Sequence, residues 1–149
     1  MSNSHLSGRC LCGAISFTAT AKDVHADVCH CTMCRRWTGG PAPGVMLAEP
    51  ATVTGEEHLA TYKSSEWGIR QFCAICGSSL FWAAPAYGYF GVTAGTLDDT
   101  SALTLTKEIF IDHKPALYTF ADPTDKLTEA EFLAQFADSS ATQAGDDHG

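Results

Sequence analysis

The chain has 149 residues, 45% of them hydrophobic and 17% charged, which suits one globular domain with an ordinary buried core and leaves little room for two. Its formal net charge of −8 argues against nucleic acid as a partner, because phosphate binding needs a basic face that releases counterions. No apolar run approaches the roughly 18 residues that span a bilayer, so no membrane partner is expected.

In chain order, the opening MSNSHLSGRC has neither the basic n-region nor the apolar h-region of a secretory leader, and a cytoplasmic chain is expected. Ile15 and Phe17 alternate in AISFTA and predict a strand. Pro41, Pro43, Gly44 and Pro50 punctuate the next stretch, which reads as loop with one strand at VML. SLFWA, YFGVTAG and KEIFID supply further aromatic and β-branched strands. LTEAEFLAQFA, residues 127–137, predicts the single helix: Thr128 and Glu131 make a capping box, Leu127 and Phe132 a staple, and Phe132, Leu133 and Phe136 share a face. Residues 138–149, DSSATQAGDDHG, are small, polar and acidic and predict a disordered tail. The fold class expected is mainly β with one helix near the C-terminus, in a domain over residues 1–137.

The seven cysteines fall into three groups: Cys10 and Cys12 in CLC, Cys29, Cys31 and Cys34 in CHCTMC, and Cys73 and Cys76 in CAIC. An odd count at short spacings in a reducing compartment points to thiolate metal ligation rather than disulfides, with a cysteine-rich core as the bland alternative. C-x-C residues on an extended backbone point to one side, and a C-x-x-C turn chelates likewise. Zinc takes four ligands, so seven thiolates favour two sites. Cys10, Cys12, Cys73 and Cys76 close one tetrahedron, and Cys29, Cys31 and Cys34 are left one ligand short. A histidine filling that position would make both sites structural, although His30 is a poor candidate if Cys29 and Cys31 share a face.

GRCLCGAISF, CHCTMCRRWTGG and YKSSEWGIRQFCAICGSSLFW, in this order and spacing, resemble the successive signatures of the glutathione-dependent formaldehyde-activating enzyme family, also called the Gfa or CENP-V domain. The resemblance spans residues 8 to about 120. It implies a β-rich Mss4-like fold with two zinc ions per chain. One would be structural in Cys10, Cys12, Cys73 and Cys76, the other catalytic on Cys29, Cys31 and Cys34. There the thiol of glutathione would bind and add to formaldehyde, a carbon–sulfur lyase-type reaction of the S-(hydroxymethyl)glutathione synthase kind. One departure stands out: HKPALY, residues 113–118, replaces the Lys-Ala-Pro-Trp run common in that family.

A thiol bound to zinc is deprotonated without a dedicated base. Three thiolates already leave the site negative, and Arg35 and Arg36, which follow Cys34 directly, are candidates to offset that charge. The same two residues and Arg70 are candidates for gripping the carboxylates of glutathione, and Trp37 for walling the pocket. For each the plain alternative is a surface arginine or a volume-filling aromatic. The expected partners are a small thiol such as glutathione and a small aldehyde. The rival class is a non-catalytic zinc module that docks a protein, with both sites filled.

Overall fold

The computed structural model describes residues 4–139, with side chains described to 136. Ten strands form one sheet: β1 (His5–Arg9), β2 (Ser16–Cys29), β3 (Pro43–Leu47), β4 (Thr52–Thr54), β5 (Leu59–Lys63), β6 (Ile69–Cys73), β7 (Ser79–Ala84), β8 (Tyr89–Thr93), β9 (Thr104–Ile109) and β10 (Asp125–Leu127). The helices are α1 (Thr32–Thr38) and α2 (Glu129–Ser139). The mainly β class with a C-terminal helix is therefore observed, but α1 corrects the expectation of a single helix. Each strand expected from AISFTA, VML, SLFWA, YFGVTAG and KEIFID is present.

Strand β2 organises the sheet. Its first half pairs antiparallel with β1 and β4. A register shift between Ala21 and Ala26 then redirects it, and its second half lies between β3, antiparallel, and β9, parallel. The path continues β10-β9-β2-β3-β8-β7-β6-β5. The bulge matters because side chains alternate along a strand, so the shift decides which residues near Cys29 face which side. Beyond it, Asp27 and Cys29 share one face while Ala26, Val28 and then His30 take the other.

The core is built from inward residues of these strands, including Phe17, Val45, Leu47, Leu80, Phe81 and Val92, with Ile15 just before β2, all buried. Phe17 and Phe81 meet edge to face at 5.0 Å, the geometry favoured by the ring quadrupoles. Cys10 and Cys73 are buried members of the same core.

Helix α2 starts as its capping box dictates: Glu131 N–H donates to Thr128 Oγ1 at 3.1 Å, and Thr128 N–H to Glu131 Oε1 at 2.9 Å. Phe132 and Phe136 are half-buried and pack on Phe110, Tyr87 and Tyr89. Leu133, expected on that face, is 37% exposed instead, since a residue directly following Phe132 is turned about 100° around a helix of 3.6 residues per turn. The helix runs to Ser139, two residues into the expected tail; the rest of that tail lies outside the described residues.

Candidate metal centre

Two groups of sulfurs meet as the spacing implied. Cys10 and Cys12 sit in the turn joining β1 to β2, not on an extended strand as C-x-C suggested, with Leu11 thrust 87% exposed between them. Cys73 ends β6 and Cys76 lies in the turn to β7, where Gly77 N–H closes onto Cys73 O at 2.8 Å. The four sulfurs all lie within 4.8 Å of one another. Cys10–Cys12 is 3.7 Å and Cys12–Cys73 is 3.9 Å, against about 3.8 Å for the edge of a tetrahedron of sulfurs about 2.3 Å from a central ion. Backbone N–H groups support the sulfurs: Ile15 donates to Cys10, and Ile75 and Cys76 to Cys73. The Ser78 hydroxyl and N–H hold the Cys76 thiol down at about 5. The donor set fits zinc in number, softness and spacing.

The second group forms where β2 runs into α1. Cys29 is the last residue of β2, and Cys31 caps α1, its sulfur accepting from Cys34 N–H at 3.3 Å. The sulfurs of Cys29, Cys31 and Cys34 again lie within 4.8 Å of one another. Hydrogen bonds from Cys29 and Cys34 pull the Cys31 thiol down, to about 2, whereas sharing with Cys31 and Cys34, then burial, drives Cys29 up. Cys34 is raised as well: the hydrogen bond with Cys29 lowers it, but the Cys31 sulfur and burial outweigh that, and the Arg70 charge only partly offsets them. Three thiolates cannot coexist in this space without a cation. That fits the group to a thiophilic dication with one position to spare.

Arg70 is the candidate that reaches the group. Its Nη1 and Nη2 lie 3.8 and 3.7 Å from Cys34 Sγ, and its guanidinium stacks 5.1 Å from the centre of the Trp37 ring. Arg35 is otherwise employed, its Nε donating to His30 O at 2.9 Å. Arg36 is exposed. Trp37 is half-buried and fastened through its carbonyl, which accepts from Ser79 Oγ at 3.2 Å. His30 is fully buried and both its ring nitrogens are engaged, by Glu108 at 2.8 Å and Tyr118 at 3.0 Å. It therefore does not complete the cysteine group.

Sequence reasoning passed over the rest of this face. Trp82 pairs across the sheet with both Arg70 and Gly91, and its indole lies flat over Gly44 and Gly91. A Cβ on either glycine would meet the ring at 2.2 Å, so only glycine admits this floor. Asp27, opposite Gly44, and Tyr89 belong to the same face by register. Burial pushes Asp27 up to about 6 despite Lys107. Tyr89 is raised by burial and then by Asp27, Cys29 and Cys34. The i, i+2 spacing from Asp27 to Cys29 is the sequence signal that could have found it. A third cluster, Asp112, His113 and Glu129, is accounted for by fastening the start of α2: Glu129 N–H donates to Asp112 Oδ1 at 2.9 Å and His113 meets Glu129 at 2.9 Å.

A β-sheet carrying one group of four sulfurs and one of three, each close enough to share an ion, defines a protein that could hold thiophilic metals. Residues 5–113 match the family model of the glutathione-dependent formaldehyde-activating enzyme, and the chain belongs to that family. An uncharacterized lyase of Schizosaccharomyces pombe is 30% identical over 127 residues, covering 85% of this chain and 93% of that protein. A Rhodobacter sphaeroides protein of known crystal structure is similar at a TM-score of 0.52 and 27% identity, over 62% of this chain and 87% of the other. Family and relative together support a lyase-type enzyme. Among the described residues no helix is long and apolar enough to cross a membrane.

Proposed function

We propose that this chain is a zinc-dependent carbon–sulfur lyase-type enzyme of Mss4-like fold that joins glutathione to formaldehyde, or releases it from the adduct. The domain responsible is residues 1–137, and its setting is the cytoplasm, where its cysteines stay reduced. Cys10, Cys12, Cys73 and Cys76 would hold a structural zinc, and Cys29, Cys31 and Cys34 the second. Zinc held there would supply a Lewis acid able to keep a substrate thiol ionised at neutral pH.

The chain's own residues then divide the work of binding. The observation that carries the reading is Arg70, poised over Cys34 and Trp37, because an anionic tripeptide arriving at a negatively charged group needs a cation at that spot. Arg36 is free to meet a second carboxylate from the rim, while Arg35, tied to the His30 carbonyl, offsets charge from behind. Trp37 and Trp82 offer apolar faces to the peptide, with Asp27 opposite Gly44 on the same side of the sheet. In the forward direction the sulfur forms a bond to the carbonyl carbon and the proton lost from the thiol ends on the carbonyl oxygen, so R–SH and CH₂O give R–S–CH₂OH. The non-catalytic reading, with a second closed site, loses its nearest ligand because His30 is spoken for.

The test is magnetization-exchange NMR on a mixture of glutathione and ¹³C-formaldehyde at equilibrium. Exchange between free aldehyde and adduct should accelerate in proportion to enzyme, and Cys31→Ser should return it to the uncatalysed rate. Exchange indifferent to the enzyme would rule the activity out.

A further inference from the structure

His30 lies between Cys29 and Cys31, and its ring bonds to Glu108 and Tyr118 rather than to either sulfur. It is fully buried, as is Glu108 at 1% exposure. All four of its polar atoms are engaged. Its N–H donates to Ile109 O at 3.0 Å and its carbonyl accepts from Arg35 Nε at 2.9 Å. Its ring meets Glu108 Oε1 and the Tyr118 hydroxyl. The parallel register of β2 on β9, Val28 beside Glu108 and Cys29 beside Ile109, brings the carboxylate under the ring. Glu108 is pinned in turn: its Oε2 accepts from Thr124 Oγ1 at 2.5 Å and lies 3.7 Å from Lys126 Nζ.

The direction of the Glu108 bond follows. Burial raises Glu108, but the Thr124 hydroxyl and His30 outweigh it and keep the carboxylate ionised, so Nε2 carries a proton and donates. Nδ1 faces the Tyr118 hydroxyl at 3.0 Å. Tyr118 comes from the segment between β9 and β10, itself fastened by Lys114 Nζ on Pro115 O and Tyr118 O. A fully satisfied buried network of this kind fixes one geometry and makes others expensive.

We propose that His30, held by Glu108 and Tyr118, is a positioning residue for the three-cysteine group: it fixes the turn that presents Cys29 and Cys31 and thereby sets how firmly that group keeps its metal. The inference rests on the zinc reading of that group. Ligands whose supporting hydrogen bonds are removed typically lose metal about 10- to 100-fold more readily, and cysteines flanking a loosened residue should do the same. The four-cysteine group, supported by other elements, should not respond.

The test is zinc release from the full chain to a colorimetric chelator, in which the wild type should show a fast phase from the three-cysteine group and a slow one from the other. Tyr118→Phe removes one hydroxyl and leaves the ring on His30 and Phe120. It should speed the fast phase about 10-fold and leave the slow phase unchanged. The cobalt-substituted variant should show shifted ligand-field bands. Glu108→Ala should exceed this effect, and Glu108→Gln, which keeps an acceptor, should restore most of the wild-type rate. A control, Phe132→Leu in α2, should leave both phases alone. Unaltered phases in both Tyr118→Phe and Glu108→Ala, or equal acceleration of both phases, would overturn the inference while sparing the zinc reading. A wild type with one zinc would overturn both. Should Tyr118→Phe not fold, the Glu108→Gln and Glu108→Ala pair decides alone.

Discussion

The two cysteine groups use the same donor chemistry in opposite settings. Cys10, Cys12, Cys73 and Cys76 join two turns that are far apart in sequence, two of the four are buried in the hydrophobic core, and backbone N–H groups and Ser78 are their polar neighbours. Cys29, Cys31 and Cys34 come from one short stretch, closed by a cap hydrogen bond, with Arg70 in front and a buried His–Glu pair behind. Under the proposed function, thiolate number alone therefore does not separate a structural site from a reactive one. What separates them is whether the cross-link carries the fold and whether cations and orienting groups surround the sulfurs.

The comparison breaks most visibly at the complete tetrahedron. Cys76→Ser should lower stability by several kcal/mol, since metal binding energy there is folding energy, and a melting curve should fall on the order of 10 °C or more; Cys31→Ser should fall far less. Equal losses would erase the distinction. Behind the three-cysteine group, Glu108→Ala should cost about 3 kcal/mol at neutral pH, the low end of the cost of breaking a buried pair outright. The sign with pH is fixed. Glu108 titrates below its ordinary value, so its contribution is present above the unfolded carboxyl range and is lost as pH falls through the lower folded value. Urea titrations should accordingly show wild type and variant converging in acid.

In front of the group, Gly44→Ala must push the Trp82 indole off the sheet and should cost about 1–3 kcal/mol by overpacking, read as a thermal shift with altered tryptophan fluorescence. Arg70→Ala should be smallest in stability and specific in binding. It should weaken glutathione about tenfold, near 1.4 kcal/mol, with 2-mercaptoethanol much less affected by calorimetry and zinc content unchanged.

The three cysteine clusters were legible because chelate spacing is local, their division into four and three because zinc takes four ligands, and α2 because its capping box is local. Helix α1 was not: its cap is Cys31, outside the usual Ser, Thr, Asp and Asn, and its seven residues carry no repeat long enough to show a period. Arg70 meets Cys34, 36 residues away, and Glu108 meets His30, 78 away; both depend on strand registers that composition does not encode. The same limit applies to Arg35 and Arg36, adjacent in sequence, of which one is tied to the loop and the other exposed.

The most direct test of the central claim is the visible spectrum of the cobalt-substituted chain titrated with glutathione. Two cobalt ions per chain are predicted, with a thiolate charge-transfer band that grows on addition of glutathione and does not respond in Cys29→Ser. A spectrum unchanged at millimolar thiol, or one metal ion per chain, would contradict the account.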